Sequence, residues 1–134
     1  MTLYPTGKCF DNALDFIGYR LEQGFSPKLL LVHGIALFPV GPRAGERFSH
    51  AWCEEGDVVW ESGLTLEGVL VYCVRRKAEF YARMRVERTT KYTIAEAYAM
   101  NAQHMNYGPW EQEYLALCRN YRRRNEGGNR RVAD

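Results

Sequence analysis

Apolar residues near the start of the chain recur with helical spacing. Phe10, Ala13, Leu14, Ile17 and Leu21 fall three or four positions apart and make one stripe. The stripe predicts a helix that opens at Cys9, after Pro5-Thr6-Gly7, and stops at Gly24 ahead of Pro27. The pattern then changes. Residues 28–38 are almost continuously apolar, with Val and Ile among them, as in a central strand covered on both faces. Pro39, Gly41, Pro42 and Gly45 make a loop. Phe48–Glu54 and Asp57–Ser62 follow as two short strands, with Glu55-Gly56 between them as the two residues of a hairpin turn.

Beyond the hairpin, Val69-Leu70-Val71-Tyr72 favours a strand over 69–74, whereas 80–87 fits either a strand or the continuation of a helix begun at Lys77-Ala78-Glu79. Thr93 and Glu96 form a capping-box pattern ahead of Ala97-Tyr98-Ala99-Met100, which predicts a helix to about Met105, ended by Gly108. Pro109 suits the first turn of a last helix whose apolar face is Trp110, Tyr114, Leu117 and Tyr121. A helix, several strands and two further helices, with no repeated βαβ unit, predict an α+β fold with an antiparallel sheet. The expected organisation is one domain over 1–125 and a disordered basic tail over 126–134.

Composition fits that picture. The 134 residues suffice for one core, and a hydrophobic fraction of 46% argues against disorder. The longest apolar run, Leu29–Val40, is interrupted by His33 and Gly34 and is shorter than the ~20 residues of a membrane helix. With no signal-peptide pattern at the N-terminus, a cytoplasmic protein without membrane attachment is expected. The net charge of +2 is uneven: six arginines from Arg119 to Arg131, against Glu126 and Asp134, put +4 in the tail. Such a tail is the only feature that offers a grip on nucleic acid, and a solvated terminus has the same composition.

Cys9, Cys53, Cys73 and Cys118 lie far apart without CxxC spacing, so they read as free thiols, neither a zinc cluster nor a disulfide framework. No cofactor motif or metal-ligand spacing stands out. Cys9 differs from the others in its place at a helix start, where backbone N–H groups and the helix dipole favour a negative charge. In the hairpin, a turn at Glu55-Gly56 sets His50 directly opposite Glu61, near enough for a carboxylate to orient an imidazole. A thiol nucleophile, an imidazole base and an orienting acid make an acyl-transfer site. Trp52 shares the His50 face by strand alternation and is a candidate for the acyl pocket. Cys53 falls on the opposite face as a buried residue, and His33, inside the apolar strand, reads as a hydrogen-bonded core histidine.

The run from Cys9 through Val32-His33-Gly34-Ile35-Ala36 to His50-Ala51-Trp52-Cys53-Glu54 and Val58-Val59-Trp60-Glu61 resembles the core of the transglutaminase-like branch of the papain-like cysteine peptidase superfamily. The resemblance spans roughly residues 6–63. It implies a nucleophile helix packed on an antiparallel sheet, with Cys9 as nucleophile, His50 as general base and Glu61 as third member. Glu61 stands where that family usually has Asp, and Lys8 where a tryptophan often precedes the nucleophile. An oxyanion hole would draw on the Cys9 N–H and a side chain such as Tyr4 or Thr6. The implied activity is a cysteine-dependent acyl transfer, hydrolysis of a peptide or amide by default, on a peptide or protein substrate. The alternative is a non-catalytic binding or inhibitory protein on the same scaffold.

Overall fold

The computed structural model describes residues 3–24 and 28–118. The tail beyond 118, with Tyr121, the arginine cluster and the disorder expected over 126–134, lies outside the described residues, as does Pro27. Helix α1 (Cys9–Glu22) is followed by strands β1 (Leu30–Leu37), β2 (Arg47–Glu55), β3 (Val58–Leu64) and β4 (Leu70–Arg76). Helix α2 (Lys77–Arg83), strand β5 (Arg88–Tyr92), helix α3 (Ile94–His104) and helix α4 (112–118) complete the described residues. The five strands form one antiparallel sheet in the order β4-β3-β2-β1-β5. The fold class is therefore α+β.

Two apolar clusters sandwich the sheet. On one face the α1 stripe of Phe10, Ala13, Leu14 and Ile17 packs on Leu31, Ala51 and Cys53, while Phe16 lies 5.1 Å from Trp60. On the other, Phe80 and Met84, from α2 and its C-cap, cover Val32, Ala36, Trp52 and Val59. Strand β1 sits between β2 and β5 with six of its eight residues buried, which explains its unbroken apolar sequence. Gly34 is required there by space alone. A Cβ at this position would lie 2.7 Å from the Arg88 carbonyl oxygen and 2.7 Å from the Trp52 ring, neither free to move. Gly34→Ala is expected to cost about 1–3 kcal/mol, read as a fall in the thermal midpoint; an unchanged midpoint would refute the close packing.

The structure decides one element left open by the sequence and changes two others. Of the two alternatives for 80–87 the helix is the one that forms: Lys77–Arg83 is helical, because Phe80 and Met84, four apart, both reach the core from one helix face. The fifth strand is Arg88–Tyr92, whose Arg88 and Lys91 suit the edge of a sheet. Pro109 does not start a helix. It follows Gly108 through a cis peptide bond, and α4 begins three residues later. The Thr93–Glu96 capping box forms in full, with Thr93 Oγ1 accepting from the Glu96 N–H at 3.2 Å and Glu96 Oε1 from the Thr93 N–H at 2.9 Å.

The hairpin register also differs. Pairing runs Glu55 to Val58, Glu54 to Val59 and Cys53 to Trp60, so the turn residues are Gly56 and Asp57 and the register moves by two. Gly56 takes the positive φ (59°) of the first turn position. A shift of two preserves which face each side chain occupies. The ladder ends at Cys53–Trp60, however, and beyond it β2 and β3 diverge, β2 staying on β1 and β3 on β4.

Candidate active site

Cys9 opens α1, as the apolar stripe requires, with Lys8 as a helix-entry residue that supplies no side-chain cap. His50 and Glu61 project from the α2 face of the sheet, Cys9 from the helix on the opposite face. They meet because the hairpin opens beyond Cys53–Trp60, where the start of α1 lies against the diverging strands. The side chains of Cys9, His50 and Glu61 line one cavity of about 370 Å³. Tyr4, Thr6 and Lys8 form one rim of it, held by reciprocal backbone bonds of 2.9 Å between Tyr4 and Leu64. Gly108, Pro109 and Cys118 close another side.

Nε2 of His50 is 3.6 Å from Oε2 of Glu61, an ion-pair distance longer than a hydrogen bond. The two are therefore not directly opposed strand neighbours, as the Glu55-Gly56 turn implied, but partners across the opened hairpin. Burial acts to lower the His50 pKa, yet contact with the Cys9 thiol and then with Glu61 outweighs it and raises the value to about 10. Burial acts to raise Glu61, and contact with His50 together with the charges of Arg75 and Arg83 outweighs that and holds the carboxyl low. His50 is thus held as a cation beside a carboxylate. Both His50 ring nitrogens and Glu61 Oε2 are buried without a hydrogen-bond partner among the described residues. Buried polar atoms without a hydrogen bond are uncommon, and a catalytic role, an ordered water or a bound ion accounts for them.

Arg75 and Arg83 went unforeseen in the sequence. Arg75 Nε lies 3.6 Å from Glu61 Oε1, because Glu61 pairs with Cys73 on β4 and Arg75 is the next residue along on the same face. Only the β3–β4 register brings them together, and no local motif announces it. Trp52 requires a correction. It shares the His50 face, 5.6 Å away by ring centroids, but it is wholly buried, and its indole N–H donates to Glu54 at 2.8 Å. Trp52 belongs to the core beneath the site, and the cavity wall is Phe48 and Phe80 instead.

His33 serves a separate pair. Its Nδ1 lies 3.0 Å from Glu111 Oε1, and Phe10, Tyr92 and Trp110 enclose the ring. Cys53 is buried, donates to the Ala13 carbonyl at 3.2 Å, and is pushed well up in pKa by burial. All four cysteines are free. Among the described residues no group of three or more His, Cys, Asp and Glu is placed to hold a metal, and no helix is long and apolar enough to cross a membrane. Comparison with protein-family models, with curated proteins and with solved structures finds no match to this chain.

Proposed function

We propose that this chain is a papain- or transglutaminase-like thiol enzyme that hydrolyses a peptide or related amide through an acyl-Cys9 intermediate. The observation that carries the reading is the convergence of Cys9, His50 and Glu61 from three elements on one cavity, with the His50 cation favoured by the other two. The Cys9 sulfur, as thiolate, adds to the acyl carbon, and the carbonyl electron pair moves onto oxygen. When that pair returns, the bond to nitrogen breaks and His50 gives its proton to the leaving amine. His50, now neutral, takes a proton from water as the water adds to the thioester, and collapse expels the thiolate. Glu61 holds the imidazole and balances its charge. Phe48, 5.1 Å from His50 by ring centroids and stacked on Phe38, offers an apolar wall for the acyl side chain. A reducing compartment such as the cytoplasm suits a site built on a free thiol.

The test is the iodoacetamide alkylation rate of each cysteine, followed by mass spectrometry between pH 6 and 9, in the wild type and in His50→Ala. Cys9 is expected to react fastest, and His50→Ala to slow it about tenfold or more. Cys53, buried and bonded to Ala13, serves as the unreactive reference. A slow Cys9 that ignores His50 would sink the enzyme reading and put the non-catalytic binding protein in its place.

A further inference from the structure

The proposed reaction passes through an oxyanion, and the residues that bind it follow from the hydrogen-bond inventory at the start of α1. Thr6 Oγ1 accepts from the Lys8 N–H at 2.9 Å and from the Asn12 side-chain amide at 3.2 Å. A hydroxyl has two acceptor positions and one proton. Its bond to Cβ and the two accepted hydrogens fill three directions around the oxygen, so the Thr6 proton takes the fourth, away from Lys8 and Asn12. Thr6 lines the cavity. Asn12 is itself buried and tied also to Ser62 Oγ at 3.5 Å, which fixes the amide that occupies Thr6.

Beside Thr6, the Cys9 N–H belongs to the first turn of α1 and has no partner within the helix. A second observation marks the same space as a ligand site: His50 is 8% exposed and lines the cavity, and among the described residues neither ring nitrogen has a hydrogen-bond partner, Nε2 making only the 3.6 Å ion pair with Glu61. Tyr4, the other candidate, is 47% exposed and is tied to Leu64 through its backbone.

We infer that the Thr6 hydroxyl and the Cys9 backbone N–H form the oxyanion hole, with Asn12 as the positioning residue that turns the Thr6 proton toward it. This rests on the acyl-transfer reading above, and two probes separate the claims. Acylation by p-nitrophenyl acetate forms a carbon–sulfur bond, passes through an oxyanion and releases 4-nitrophenolate as the carbon–oxygen bond breaks. Alkylation by iodoacetamide displaces iodide at a saturated carbon and forms no oxyanion.

Thr6→Val is expected to slow release of 4-nitrophenolate about 10²-fold while Cys9 alkylates at the wild-type rate, and Thr6→Ser to restore most of the acylation. Wild-type acylation in Thr6→Val would overturn the inference. Parallel loss of both reactions would also overturn it, by showing that Thr6 only shapes the helix entry. A wild type whose Cys9 shows no selective reaction with either probe would remove the acyl-transfer reading itself, and the oxyanion hole with it.

Discussion

Replacing Glu54 with alanine is expected to cost about 3 kcal/mol of folding stability and to leave the chemistry of Cys9 in the surviving folded protein unchanged. Glu54 is 2% exposed, and its carboxylate collects the Trp52 indole N–H at 2.8 Å, the Lys91 ammonium at 2.9 Å, the Lys77 ammonium at 3.5 Å and the Tyr81 hydroxyl. Burial pushes its pKa up, and the hydrogen bonds from Tyr81, Trp52 and Lys91 with the Lys91 charge more than offset that, so the group is an anion in the folded state. Alanine strands the Trp52 N–H in a core that water does not reach, whereas Lys77 and Lys91, each about one-third exposed, can turn to solvent. The loss therefore falls at the lower end of what removing one member of a buried ion pair costs. Urea denaturation reads it as a lower midpoint with an unchanged slope. A loss under about 1 kcal/mol would mean that the network is incidental.

Glu61→Gln is expected to cut acylation of Cys9 by p-nitrophenyl acetate on the order of 10²–10⁴-fold, since the amide keeps the shape of the acid and removes its charge. The pH dependence carries the sharper signature. The folded His50 pKa, about 10, lies above its ordinary value of 6.5, so the stability it contributes is complete below pH 6.5 and is lost as pH rises toward 10. Glu61 is depressed, so its contribution is present above its unfolded pKa of about 4.3 and is lost as pH falls through the lower folded value. The amide removes the second effect and part of the first. With an amide substrate, whose leaving amine takes the His50 proton, the alkaline limb of the rate profile, near 10 in the wild type, should move to lower pH, and so should the alkaline loss of stability. A variant with an unshifted limb would show that Glu61 does not act through His50.

The parts of the fold that are readable in the sequence are those with a strong local period or a costly local feature. The α1 stripe, the unbroken apolar run of β1 and the Thr93 capping box each exist in the sequence at the scale on which they act. For the candidate site, the sheet face shared by His50 and Glu61 was readable, since a two-residue error in register leaves the faces unchanged. The register itself turned on Gly56, which fits either turn position; the positive φ of a first-position glycine decides it. Strand β5 has five residues and derives its structure from β1, so its own sequence carries little of the signal. Arg75 and Arg83 reach Glu61 only through tertiary pairing.

The opened hairpin also accounts for a choice of side chain. In the observed register a continued ladder would set Gly63 opposite His50 and Glu61 opposite Trp52, so an acid at position 61 reaches the imidazole only diagonally. Here the strands have already parted at Cys53–Trp60, and the gap is bridged from position 61 by the length of the side chain. Glutamate carries its carboxylate one carbon further than aspartate. The length of glutamate thus suits position 61, from which the imidazole is reached diagonally across parted strands.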